Sequence, residues 1–195
     1  MTRLILVRHG ETDWNNIDRI QGEVDVPLNS VGLKQAKDIT AQLKGERISA
    51  IFSSELSRSF VTAEEIGRSH RLKVRRMKEL NELNQGLWQG LLLTEVKKRY
   101  KKQYNLWRSD PTLVQPPKGE SLKDVYDRVI SLVQKLVDRF PNKTICIVSH
   151  EIIAGLIKCH FSSLDLKELW SFTPKKGTKE IIEISQEMTY GAKQA

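Results

Sequence analysis

The chain opens on a short apolar run, Arg3 to Arg8, rich in Leu, Ile and Val, which turns polar at once in Arg8-His9-Gly10-Glu11-Thr12. Such a run, apolar at successive positions and too short for a helix, predicts a buried strand. Ile48 to Ser53 and Thr144 to Ser149 have the same character and end in Ser53-Ser54 and Ser149-His150. Helical periods lie between them. Leu33, Ala36, Ile39, Thr40 and Leu43 share one face before Gly45. Ser57 to Ile66 is helical by period and closes at Gly67, and Thr94 to Trp107 predicts one further helix.

The clearest helix follows Ser121, where Leu122, Val125, Val129, Leu132, Val133, Leu136 and Val137 form one apolar stripe and Pro141 stops it. Ser121 with Asp124 resembles a capping box. Ile152 to His160 predicts another helix, and Leu72 to Arg75 and Lys179 to Ser185 predict short strands, the latter at an edge. Leu80 to Gly90 and Pro111 to Gly119 read as loops, and Met188 to Ala195 as a frayed tail.

Strands alternating with helices predict an α/β fold with a mostly parallel sheet. At 195 residues the chain is expected to form one domain, 1–195. In such sheets ligands gather beyond the carboxyl ends of the strands. Three strand ends here carry polar clusters, Arg8-His9, Ser53-Ser54 and Ser149-His150, which places a candidate site.

Charge sharpens this picture. The formal net charge is +8, with basic stretches at Arg68 to Lys78 and Lys97 to Lys102. Aromatic residues do not interleave them beyond Tyr100, and no nucleic-acid motif accompanies them, so a solvated face and a field attracting anionic substrates are expected, not nucleic acid. No apolar run approaches the roughly 20 residues of a membrane span. Met1-Thr2-Arg3 leads into only four apolar residues, without a signal-peptide pattern, and a cytoplasmic location is the expectation. Cys146 and Cys159 read as buried thiols rather than a disulfide or a zinc site, which suits a reducing compartment.

Two histidines and two arginines, if Arg58 joins Arg8 on the same rim, make a compact cationic pocket suited to a phosphoryl group. Guanidinium forks match phosphate oxygens, and neighbouring cations disfavour protonation, keeping a histidine neutral and nucleophilic.

The motifs carrying these residues resemble those of the histidine phosphatase superfamily, with the phosphoglycerate mutase-like fold. Leu6-Val7-Arg8-His9-Gly10-Glu11-Thr12 with Trp14-Asn15 is the first. Gln21-Gly22 and Asp25-x-Pro-Leu-x-x-x-Gly32 follow, then Ser53-Ser54-x-Leu56-x-Arg58-Ser59-x-x-Thr62-Ala63. Glu82-x-x-x-Gly86-x-Trp88-x-Gly90, Gly119-Glu120-Ser121 and Val148-Ser149-His150 complete the series in order.

The resemblance implies a three-layer α/β/α sandwich. It implies His9 as the phosphoryl-accepting nucleophile, with Arg8, Arg58 and His150 on the phosphoryl oxygens and Asn15 as a further donor. Glu82 would be the general acid and then the base, preferred over Glu79 for its spacing to Gly86. Gln21, Gly22, Gln85 and Glu151 would line the substrate. No metal or other cofactor is implied. Glu151 stands where many family members have Gly, so its amide would face the phosphate while its side chain points away. A carboxylate among arginines should ionise readily, so bound phosphate is expected to raise the Glu82 pKa.

Trp14 and Trp88 are expected to pack and shape the rim, Ser53 and Ser54 to hydrogen-bond at a strand end, and His70 and His160 to be structural. Residues 83–149, 67 in number, separate Glu82 from His150. That suits the shorter, phosphatase branch over the mutases, whose insertion there is longer. The expected activity is metal-independent hydrolysis of a small phosphorylated metabolite, of the phosphoserine, α-ribazole phosphate, sugar phosphate or phosphoglycerate type. A cofactor-dependent phosphoglycerate mutase is the alternative, and a non-catalytic phospho-ligand scaffold a third reading. A homodimer is left open.

Overall fold

The computed structural model describes residues 1–185, so the expected tail Met188 to Ala195 lies outside the described residues. Five strands form one sheet: β1 (Thr2–Arg8), β2 (Ile48–Ser53), β3 (Val74–Arg76), β4 (Thr144–Ser149) and β5 (Lys179–Ile184), in the order β3-β2-β4-β1-β5. All pair in parallel except β5, which runs antiparallel to β1 at the edge.

The helices are α1 (Asp13–Asn16), α2 (Ser30–Leu43), α3 (Ser57–His70), α4 (Leu93–Arg99), α5 (Lys101–Ser109), α6 (Leu122–Arg139), α7 (Glu151–Phe161) and α8 (Leu169–Phe172). The strands alternate between two cores. Ile5, Val7, Ile51, Cys146 and Val148 pack on Ile39 and Leu43 of α2 and on Ala63 and Ile66 of α3. Leu4, Leu6, Phe52, Ile145 and Ile147 face the opposite core, with the stripe of α6 and the apolar residues of α7. The result is an α/β/α sandwich, and burial on both faces explains why β1 and β4 read as unbroken apolar runs.

Several expected boundaries moved, each for a local reason. Helix α3 runs past Gly67 to His70, and the left-handed residue that ends it is Arg71 (φ 56°). The expected helix over Thr94 to Trp107 is two helices broken at Tyr100. The break brings Tyr100, Tyr104 and Trp107 around buried Trp88, with ring centroids 6.1, 6.3 and 6.2 Å away. At Ser121 the hydroxyl oxygen accepts from the Asp124 amide at 3.1 Å, as expected. The Asp124 carboxylate, however, takes the Ser121 hydroxyl at 2.6 Å, so the cap is not the full reciprocal box. The helical turns at 166–172 were not expected from the sequence.

Register places the site. Arg8 pairs with Ser149 and Ser53 with Val148, so β1, β2 and β4 stop at one level. His9, Ser54 and His150 follow on the same rim. The loop after β1 lies directly on the start of α2. A Cβ on Gly10 would sit 2.4 Å from Gly32 O, and one on Gly32 would sit 2.1 Å from Glu11 O, so both positions require glycine. Asn29 caps α2 through its side chain, accepting from Gly32 N at 2.8 Å. No helix among the described residues is long and apolar enough to cross a membrane.

Candidate active site

The rim of β1, β2 and β4 opens into a cleft of about 200 Å³. That is smaller than the roughly 300–1,000 Å³ of drug-sized ligand pockets. Arg8, His9, Arg58 and Glu82 line it, and so do Asn15, Gln21, Gly22, Gln85 and Glu151. His150 lies fully buried behind them, its ring edge-on to His9 with centroids 5.1 Å apart.

His9 is fixed in one tautomer. Its Nδ1 lies 2.6 Å from Gly10 O, a carbonyl that can only accept, so Nδ1 carries the proton. Nε2 then presents a lone pair, and Arg58 Nε donates to it at 3.2 Å. Burial holds the His9 pKa well below the usual imidazole value, and Arg58 and Arg8 lower it further against the raising effect of the Gly10 bond.

Arg58, on the first turn of α3, is 1% exposed. Its Nη1 donates to Val24 O at 2.8 Å and its Nη2 to Gly22 O at 2.7 Å. Gly22 thus serves as a holder of Arg58 as well as a lining residue. Burial pushes the guanidinium down to about 10, which leaves it charged at neutral pH. The first amide of α3, Ser57 N, donates to Asp25 Oδ1 at 2.7 Å, which explains the Asp25 motif as a cap supplied from a distant loop.

Arg8 is clamped from outside: Nη1 donates to Pro174 O at 2.7 Å and Nη2 to Glu151 Oε2 at 2.9 Å. Arg8 Nε and His150 Nδ1 are buried without a partner among the described residues. The other His150 nitrogen, Nε2, lies 2.8 Å from Ser54 Oγ. Asn15 Oδ1 accepts from Thr12 N at 3.0 Å, which caps α1 and leaves the amide nitrogen uncommitted.

Glu82 accepts from Leu83 N at 2.9 Å and from Ile152 N at 3.3 Å. Its pKa is nevertheless raised, first by burial and then by Glu151, against the lowering effects of those amides and of Arg58. The expectation that the neighbouring arginines depress this carboxyl is therefore corrected: desolvation outweighs Arg58 in the free site. Glu79, by contrast, is exposed and off the cleft.

A second expectation is overturned at Glu151. Its side chain does not point away; it folds back onto Arg8, because an ion pair with a guanidinium already at the rim satisfies both groups. Sequence reasoning also passed over Asp18, Arg19, Ile20 and Leu93, which line the mouth. Arg19 lies over the Trp14 ring at 5.6 Å. The flanking Trp14-Asn15 and Gln21-Gly22 motifs were the signals near Asp18 to Ile20.

The remaining expectations fall outside the cleft. Trp88 is fully buried in the core, and Ser53 Oγ donates to Ser54 O. His70 bonds Ile66 O and Leu43 O, and His160 bonds the Tyr126 hydroxyl. Cys146 and Cys159 are free and buried.

Residues 4–190 match the model of the histidine phosphatase superfamily, branch 1. The phosphoserine phosphatase 1 of Hydrogenobacter thermophilus is 35% identical over 95% of this chain and 88% of its own. The α-ribazole phosphatase of Shigella flexneri superposes with a TM-score of 0.85 at 28% identity, over 95% of this chain and 92% of that one. A mycobacterial glucosyl-3-phosphoglycerate phosphatase, in a complex with VO3, superposes with a TM-score of 0.86 at 29% identity, over 93% and 92%. The chain belongs to the histidine phosphatase superfamily. It is a phosphatase of that family, acting on small molecules.

Proposed function

We propose that the protein hydrolyses small phosphomonoesters without a metal ion, through a phosphoryl group carried on His9. The observation that supports this most is the single tautomer of His9. Gly10 O accepts a hydrogen bond from Nδ1–H, and the Nε2 lone pair, held in the free site by Arg58 Nε–H, becomes available when that donor turns to a phosphoryl oxygen. In the first step Nε2 attacks phosphorus in line and the ester P–O bond breaks. Glu82, whose pKa burial raises, gives its proton to the leaving oxygen. Arg8 Nε, Arg58, His150 and the Asn15 amide hold the phosphoryl oxygens, supplying the positive charge that magnesium supplies elsewhere. In the second step ionised Glu82 takes a proton from water, which attacks the phosphohistidine and releases orthophosphate.

The mouth suggests a substrate. Beyond the phosphoryl-binding residues it carries one cation, Arg19, and two carboxylates, Asp18 and Glu151, the latter paired with Arg8. That mixture suits a leaving group with its own ammonium and carboxylate, and phosphoserine is the compound we favour, in keeping with the relative named for it. The buried free thiols suit a cytoplasmic setting.

The test is orthophosphate release from a panel of phosphomonoesters with chelator present, with interconversion of the two monophosphoglycerates assayed alongside. Turnover of phosphoserine above sugar phosphates, undiminished by chelator, is the expected result. Loss of activity to chelator would overturn metal independence. Interconversion faster than hydrolysis would make the protein a mutase.

A further inference from the structure

The residue after the second cleft histidine carries a negative charge into a site otherwise built to bind anions. Glu151, the first residue of α7, sends Oε2 to Arg8 Nη2 at 2.9 Å, and its Oε1 accepts from Thr173 Oγ1 at 3.4 Å. With Nη1 held by Pro174 O, both terminal nitrogens of Arg8 have a protein partner, and Nε is its buried nitrogen without one among the described residues. The Arg8 side chain is 11% exposed while that of Glu151 is 41% exposed, so Glu151 is the solvent-side member of the pair.

We propose that Glu151 is a built-in counter-anion of the phosphoryl site. Its carboxylate positions Arg8 by the outer edge and opposes bound phosphate with its own charge. It thereby limits how long orthophosphate stays after hydrolysis.

An ordinary phosphate site gains from every added cation, and here one of its cations is partly neutralised by an ion pair that a glycine would not make. The charge of Glu151 also raises the Glu82 pKa, in the same direction as burial. The other charged or titratable groups around the two carboxylates are Arg8 and neutral His9 at the end of β1, Arg58 on α3 and neutral His150 before α7. Arg128 of α6 donates to Glu82 O, and Lys176 pairs with Glu11 at 3.6 Å. None of these is a second anion on Arg8. The proposal rests on the phosphatase reading for its consequence, release of product, but not for its measurement.

Orthophosphate affinity is measured by calorimetry on the wild type, Glu151→Gln and Glu151→Asp, together with kcat/KM for phosphoserine against pH. Glutamine keeps an oxygen for Arg8 and loses the charge. Glu151→Gln is expected to bind orthophosphate roughly three- to tenfold more tightly. The alkaline limb should move to lower pH, since Glu82 ionises earlier without an anion beside it. Glu151→Asp, which keeps the charge, should remain near the wild type in both. Equal or weaker phosphate binding by a Glu151→Gln protein of unchanged melting temperature would overturn the proposal, as would an Asp variant that behaves like the Gln one. Should the wild type bind phosphate and hydrolyse nothing, the phosphatase reading fails while the affinities still decide the role of Glu151.

Discussion

His150 Nε2 lies 2.8 Å from Ser54 Oγ, and Ser54 Oγ lies 2.9 Å from Asn81 Oδ1. A hydroxyl has one proton and the amide oxygen can only accept, so Ser54 donates to Asn81 and accepts from His150. The neutral His150 ring therefore carries its proton on Nε2 and presents a lone pair at Nδ1. Burial, with Arg58, His9 and Arg8, keeps the ring neutral at pH 7 in the free site. An anion oxygen at Nδ1 needs a proton there. Sulfate, which does not titrate near neutrality, is expected to bind with uptake of a proton. Calorimetry in buffers of different ionisation enthalpy measures this, with Glu82→Gln and His9→Asn together as background to silence the other titrating groups. Ser54→Ala frees the other tautomer and should reduce the uptake. Heat that does not vary with buffer would contradict the assignment.

His9 is expected to stay neutral well into the acid range. Its ring resonances should not titrate near the usual imidazole value, and Arg58→Gln should bring the titration back up toward it. The sign of the stability effect follows. A base whose folded pKa is depressed is protonated first in the unfolded chain. Stability is therefore full above the unfolded value of about 6.5 and declines as pH falls below it, down to the folded value. His9 and His150 both contribute, so the melting temperature should fall steeply below that point. A melting temperature flat between neutral pH and mild acid would contradict it.

Glu82→Gln is expected to lower kcat on phosphoserine by about 10²–10⁴-fold, the range for a lost general acid. A phenolic ester whose leaving group needs no proton should lose much less in the first step. Because the folded pKa of Glu82 is raised, the protonated fraction, and with it the phosphoserine rate, declines as pH rises through that value. Equal losses on both substrates would remove Glu82 from the proton transfer.

Gly86 ties the Glu82 loop to the 116–119 loop. Its φ is +50°, and a Cβ there would sit 2.2 Å from Pro117 O and 2.5 Å from Gly119 N. Gly86→Ala is expected to destabilise the fold by about 1–3 kcal/mol and to lower kcat by displacing Glu82. Thermal melting and steady-state rates check both. A variant with wild-type melting and wild-type kcat would show that the two loops are not coupled.

Much of the site was readable because its residues follow apolar runs. Burial on both faces makes β1, β2 and β4 conspicuous, and Arg8-His9, Ser53-Ser54 and Ser149-His150 announce their ends. What was not readable depends on side-chain direction or on segments distant in sequence. Glu151 turns toward Arg8 rather than away, a choice set by an ion pair across 143 positions. Pro174 O reaches Arg8 from a stretch with no motif. The balance on Glu82 was misjudged because adjacent arginines are visible in the sequence and burial is not. The break at Tyr100 was missed because the residues it serves cluster around Trp88, which the helical period alone does not register.

The most direct test of the proposed chemistry is to trap the phosphoryl group. Enzyme mixed with phosphoserine, or with a phenolic phosphate in the Glu82→Gln variant to slow the second step, is quenched in alkali, where phosphohistidine survives. Peptide mass spectrometry then locates the added phosphoryl group. The expected result is phosphorylation of His9 that forms and decays at rates matching turnover and is absent from His9→Asn, which should lose activity by on the order of 10⁴-fold or more. Turnover with no phosphoryl group on His9, or a His9→Asn enzyme that still hydrolyses at a comparable rate, would contradict it.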